Sequence, residues 1–262
     1  MKGLIIKDLM CLRKQRITFL FTVICTAAIG AMFVISERTG NIHTLNSMDS
    51  DLSAIDIKTI GTLVLVLFML IPLTLAGDVG TVFGYDAKAG FSKVGGSLPI
   101  PLEKRILAKY LTNFMMLGIG ILMDMAIAGI LSGLTDLISF GDFVGIILSV
   151  AAVMLMFGAL TIFYTFCLGE GKNDSALFLS IFTLFVGFIV LRFRKVLAFM
   201  KMIVAASGPQ EEVSAEIDLS AITDMVNFLK DKYYILLLIA ALVTVGSYFG
   251  SVYKVKSKRG MI

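Results

Sequence analysis

The sequence predicts an all-α polytopic membrane protein, with six transmembrane helices, an N-terminal amphipathic elbow helix and a further cytoplasmic helix between spans two and three. Three observations carry that class. Of 262 residues, 58% are hydrophobic and 16% charged, against roughly 45–50% and about 25% in soluble domains. The apolar residues form unbroken runs rather than one-sided stripes. Lys and Arg gather in alternate connections between the runs, as the positive-inside rule requires.

The spans fall at about 17–36, 60–77, 111–134, 143–168, 176–191 and 233–252, and residues 1–262 make one transmembrane domain. Crossing a hydrocarbon core of roughly 30 Å takes about 20 helical residues. The fifth run is short of that and continues toward Arg192, which can snorkel to the headgroups. A β-barrel is excluded, because barrel strands alternate apolar and polar residues.

Six spans place both termini on one side. That side holds Lys2, Lys7, Arg13, Lys14 and Arg16, then Lys88, Lys93, Lys104, Arg105 and Lys109, and finally Lys172 and the basic tail. Both termini are therefore expected in the cytoplasm, although Arg192, Arg194 and Lys195 run against the rule. The net charge of +4 is a topology signal and not a nucleic-acid footprint. The first run exceeds a signal-peptide core and reads as a retained span.

Several chemistries lack their residues. His43 stands alone in an outer loop, with no companion ligand for a metal. Cys11, Cys25 and Cys167 have no metal-ligand spacing and read as small hydrophobes. No HExxH, GxSxG or phosphate-binding GxxxxGK[ST] pattern occurs, so the chain itself is not expected to be an enzyme or to hold a cofactor.

Asp124 is the acid set deep within a span. An ionisable group there is costly and marks either a transport pathway or a helix-packing contact. Gly141-x-x-x-Gly145 and Gly246-x-x-x-Gly250 have the spacing of close helix approach. The outer segment 192–232 is broken at Gly208-Pro209; beyond it Leu219, Ile222, Val226 and Leu229 recur at helical spacing after Asp218. This reads as a surface helix, with a lid over the exit as the sharper alternative.

Residues 1–16 place Ile5, Leu9 and Leu12 on one helical face beside a basic flank, the pattern of a helix lying along the inner headgroups. The connection 78–110 is longer and more structured than a plain link requires. A short polar helix is expected at 85–93, then a Gly95-Gly96 breaker, a Pro99 and Pro101 turn, and a basic helix from Glu103 to Leu111 entering span three.

The opening Met1-Lys2-Gly3-Leu4-Ile5-Ile6-Lys7-Asp8-Leu9, the loop Gly84-Tyr85-Asp86-Ala87-Lys88-Ala89-Gly90-Phe91, the Leu98-Pro99-Ile100 turn and the Lys109-Tyr110-Leu111 entry resemble bacterial ABC-2 type permeases. Ala87 stands where that family often has Glu, and Phe91 where it often has Trp. The resemblance implies a membrane subunit of an ATP-driven exporter in the bacterial plasma membrane. It would pair with a second permease subunit, as a homodimer or heterodimer, and bind separate cytoplasmic ATPase subunits that carry ATP and Mg. Tyr85, Asp86, Lys88, Gly90 and Phe91 would form the coupling helix seated on the ATPase, and Leu98 and Pro99 the turn tying it to span three. Within the family the chain is most similar to exporters of amphipathic or antimicrobial peptides, including phenol-soluble-modulin exporters.

Two other function classes fit the composition. An immunity or sensory scaffold would explain the spans but not the structured loop 78–110. An ion-coupled secondary transporter would rest on Asp124 alone, without the inverted repeats such proteins show.

Overall fold

The computed structural model describes residues 2–39, 57–76, 80–88, 100–134, 139–169, 171–191, 228–258 and 260. Every regular element among them is helical: α1 (Lys2–Cys11), α2 (Arg13–Arg38), α3 (Ile57–Met69), α4 (Ile71–Ala76), α5 (Gly80–Lys88), α6 (Leu102–Leu134), α7 (Phe140–Leu168), α8 (Asn173–Leu191) and α9 (Tyr233–Lys258). Five helices are long and apolar enough to cross a bilayer: α2, α6, α7, α8 and α9. Hydrocarbon is the one solvent in which such segments satisfy their backbone internally and still expose apolar side chains. Accordingly Phe178, Phe182 and Phe185 of α8, and Phe21 and Ile24 of α2, face outward.

The expected span 60–77 is not one helix. Its apolar stretch continues from Leu63 to Thr74, but the backbone breaks at Leu70 into α3 and the six-residue α4. Pro72 is the physical reason: it has no N–H to donate to the Phe68 carbonyl, and its ring crowds the preceding turn. Leu70 N–H divides its bond between the Val66 and Leu67 carbonyls at 3.3 and 3.2 Å.

The elbow also differs from the expected 1–16. α1 ends at Cys11, Leu12 is a buried turn, and residues 13–16 already belong to the helix of span one. α6 runs 33 residues, or about 50 Å at 1.5 Å per residue. It therefore extends well beyond the apolar stretch that begins near Leu111. α8 starts at Asn173, three positions before its expected boundary of 176. The residues 192–227, and with them most of the outer segment, lie outside the described residues.

α7 is the central helix, with 56% of its apolar window buried. Its start is fixed by Ser139, whose side chain accepts from Asp142 N–H at 3.3 Å, with the Asp142 carboxylate in the first turn. Its end is fixed by Gly169 at φ 98° and Gly171 at φ 104°, a backbone that L side chains rarely adopt and that turns the chain into α8. Within the spans, Thr26, Thr161, Thr165, Ser180, Thr244 and Ser251 each donate to the carbonyl four residues earlier, which removes a polar group from the apolar surroundings. Of the two small-residue pairs, one member each makes a close approach. A β-carbon at Gly145 would lie 2.6 Å from the Lys230 carbonyl, and one at Gly250 would lie 2.8 Å from the Phe163 ring. Gly246 meets nothing within 4 Å, and both close approaches are within the chain.

Candidate functional site: an ion cluster joining α1, α5 and α6

One end of the bundle is built around four charges from three helices. Lys7 and Asp8 are adjacent on α1, Asp86 lies on α5, and Lys109 lies on the extended first part of α6. Lys7 Nζ donates to Asp86 Oδ1 at 2.7 Å and sits 3.0 Å from Asp8 Oδ1. Lys109 Nζ donates to Asp8 Oδ1 at 2.9 Å and to Asp86 Oδ2. Two ammonium groups and two carboxylates thus alternate in a neutral ring. Asp8, Asp86 and Lys109 are 1%, 4% and 8% exposed. Charges this deep persist only when paired.

Each charge is held by the packing beneath it. Val82 and Phe83, one turn before Asp86, are buried and carry α5 onto α6 and α7. The Phe83 ring centroid lies 5.2 Å from Lys109 Nζ, a cation–π contact, and its edge meets Phe166 of α7 at 5.6 Å. Ile106, Tyr110, Ala159 and Ile162 complete that apolar floor. Tyr110 OH and Ser251 Oγ are 3.1 Å apart, tying the same level of α6 to α9. Asp8 of α1 and Leu12, in the turn just after it, are both buried, while Ile6 and Met10 face outward. Burial acts to lower the Lys7 pKa, but its hydrogen bonds to Asp86 and Asp8 outweigh this and raise it above the ordinary lysine value.

The residues singled out in the sequence are placed as follows. Asp86 turns inward to Lys7 and Lys109, Tyr85 is half-buried, and Lys88 is exposed at the end of α5. The described helix is Gly80–Lys88, so it begins five residues before its expected start, and residues 89–93 of the expected helix lie outside the described residues. Gly90, Phe91, Leu98 and Pro99 lie outside the described residues. Asp124 is fully buried on α6, well away along the helix from the charge cluster. Lys7, Asp8 and Lys109 were not legible as a site. In the sequence the lysines serve as topology markers, and the signal that distinguishes them is the lone acid Asp8 inside a basic segment.

Elsewhere, Lys256 pairs with Glu103 at 2.6 Å, and at the opposite end of α7 Lys230 pairs with Asp142 at 2.8 Å. Among the described residues no group of three or more His, Cys, Asp or Glu is arranged to hold a metal ion. Cys11, Cys25 and Cys167 are half-buried and form no disulfide.

A helical bundle with five helices long and apolar enough to cross a bilayer defines the class: a multi-pass membrane protein. A sequence model described as "ABC-2 family transporter protein" matches residues 52–256, so the chain belongs to the ABC-2 family of transporter proteins. The family consists of membrane permease subunits that normally work with an ABC ATPase partner. Asp86 and Lys109 lie within the matched segment, and Lys7 and Asp8 precede it. No curated protein and no solved structure matches the chain.

Proposed function

We propose that the chain is the permease subunit of an ATP-driven exporter in a bacterial plasma membrane, with both termini cytoplasmic. Two such subunits pair, identical or homologous, and each engages a cytoplasmic ATPase that binds ATP and Mg. The observation that carries this reading is the buried ring of Lys7, Asp8, Asp86 and Lys109. It makes α1, α5 and the start of α6 one rigid joint, so a push on α5 is delivered to a membrane-spanning helix and not absorbed by a loop. α5 is the coupling helix. Its exposed Lys88 and half-buried Tyr85 face the ATPase, together with Gly90 and Phe91, while Leu98 and Pro99 hold the return toward α6. Asp86 positions this helix from inside. The cargo is amphipathic or hydrophobic, a peptide of the antimicrobial or cytolytic kind, in keeping with the apolar makeup of the spans.

The experiment is purification of the full chain from its native cells in mild detergent, scored for a co-purifying ATPase and for MgATP hydrolysis. A stoichiometric ATPase is expected, lost in a Tyr85→Ala, Lys88→Glu, Phe91→Ala variant that still inserts in the membrane. A preparation from nanodiscs with no ATPase and no hydrolysis overturns the reading.

A further inference from the structure

On α6, Asn113, Leu117, Gly120, Asp124, Ala128 and Leu131 recur every three or four residues and are all buried, so they share one face. Two members of this stripe are polar and unsatisfied. Asn113 is 1% and Asp124 0% exposed, and both amide atoms of Asn113 and both carboxyl oxygens of Asp124 have no hydrogen-bond partner. The two residues stand about 16 Å apart along the helix. Among the described residues, no helix packed on this face brings a Lys, Arg or His into the apolar interior: α3 beyond Gly61 and α4 have none, and neither do the stretches 17–36, 143–168 and 233–252.

A buried polar atom without a partner opposes the conformation that buries it. Neither side chain therefore gains a hydrogen bond from this packing. The backbone packed against this face is interrupted next to Asp124. Leu70, at the break between α3 and α4, packs in the same two apolar clusters as Ile121, one turn before Asp124. Leu73 of α4 covers Leu117. Irregular backbone at membrane depth is tolerated where protein buries it or where it lines a water-filled cavity. The junction between α3 and α4 keeps the bonds from Leu70 N–H to the Val66 carbonyl and from Thr74 N–H to the Leu70 carbonyl, but lacks the one that Pro72 cannot donate. Against Asn113, Gly158 of α7 has no side chain, and a β-carbon there would lie 2.5 Å from the Asn113 amide nitrogen, so the seam between α6 and α7 shuts flush over it.

We propose that Asn113 and Asp124 form a polar track on α6, closed in this structure, which opens to water and cargo when α4 swings off α6 and the seam between α6 and α7 parts at Asn113. In the open arrangement Asp124 accepts hydrogen bonds from the cargo, from an ammonium group or a peptide N–H, and Asn113 serves both donors and acceptors. This deepens the permease reading by naming a cargo-facing surface, and it rests on that reading for its cargo.

The test is thiol accessibility in the full chain in native membranes, with Cys11, Cys25 and Cys167 replaced by Ser. Single variants Asn113→Cys and Asp124→Cys are compared with Ala128→Cys, which is equally buried on the same stripe, using a small membrane-impermeant methanethiosulfonate. A thiol reacts through its thiolate, which forms only where water reaches it. The two track positions are expected to react at least about tenfold faster than Ala128→Cys. Rates equal to that control, with and without MgATP, overturn the proposal. This readout needs neither cargo nor a bound ATPase. Labelling without a co-purifying ATPase therefore refutes the permease reading and keeps the track, and the reverse result refutes the track alone. A second arm uses Asp124→Leu. Its melting temperature should equal or exceed that of the native protein. A clear fall would show the carboxyl to be a packing contact and would also overturn the proposal.

Discussion

Lys109 Nζ lies 2.9 Å from Asp8, a residue 101 positions earlier in the chain, and the same ammonium group holds Asp86 of α5. One side chain thereby fastens two separate helices to the foot of α6. Removing it would leave both carboxylates buried with Lys7, whose side chain is 26% exposed, as their cation partner among the described residues.

The first prediction ranks the cluster. Breaking a buried ion pair from one side costs about 3–5 kcal/mol, because the abandoned charge keeps its desolvation penalty. Lys109→Met should therefore lower the melting temperature of the purified protein far more than Lys7→Met, whose ammonium is better exposed to water. Combining Lys109→Met with Asp86→Asn should cost less than the two single effects summed, since each removes the other's stranded partner. Additive effects would mean that the two residues do not act as a pair.

A second prediction concerns pH. Lys7 is raised above its ordinary 10.5, through hydrogen bonds to Asp86 and Asp8 that outweigh burial. A group with a raised folded pKa contributes stability that is fully present below its unfolded value and is lost as pH rises through the folded one. Among the described residues, the charges that face it are Asp8 and Asp86, with Lys109 beyond them. The difference in melting temperature between native protein and Lys7→Met should stay constant from neutral pH to about 10 and shrink above 10.5. A difference that vanishes near neutrality would contradict the assignment.

Much of the bundle could be read from the sequence, for a local reason. A span announces itself by a continuous apolar run, so α2, α7 and α9 lie where hydropathy places them. Boundaries fail where the chain stays helical beyond the bilayer. α6 starts at Leu102 because Glu103 to Tyr110 is polar yet helical, and hydropathy begins the span only at Leu111. The break in span two was hidden because Leu63–Thr74 is uniformly apolar, and Pro72 left no mark on hydropathy. Asp124 was legible as an isolated acid in an apolar run. The ion cluster was not, since its bonds join residues 23, 79 and 101 positions apart, and no local periodicity records which distant charges meet.

A third prediction tests the opposite end. The residues 228–231, just before α9, are seated on α7 in three ways: Lys230 pairs with Asp142, Ser149 Oγ donates to the Leu229 carbonyl, and Gly145 meets the Lys230 backbone. Because the obstacle to a side chain at 145 is backbone, Gly145→Ala must displace the whole turn. Overpacking of this kind costs about 1–3 kcal/mol. Gly141→Ala, whose β-carbon would meet only Ser139 Oγ at 3.9 Å, should be nearly neutral. Equal melting temperatures for the two variants would show the turn to be free to move.

The last prediction separates docking from transmission at α5. Lys88 is exposed and Asp86 is 4% exposed, although the two are only two positions apart on the same helix. On the proposed reading, Lys88 touches the ATPase and Asp86 never does. Lys88→Glu should weaken capture of the ATPase by about tenfold, the effect of roughly 1.4 kcal/mol at an interface, and leave the melting temperature of the isolated permease unchanged. Asp86→Asn should do the opposite. It leaves Lys7 and Lys109 short of a counter-charge, so the permease melts earlier, while the outer surface of α5 and the bound ATPase are retained. Its MgATP hydrolysis should then no longer respond to cargo, because α5 can be pushed without carrying α6. The two variants therefore have crossed signatures in melting and capture. Should Asp86→Asn release the ATPase at an unchanged melting temperature, the inward-facing carboxylate would have to turn outward in the complex, and the rigid joint would not be the element that transmits the stroke.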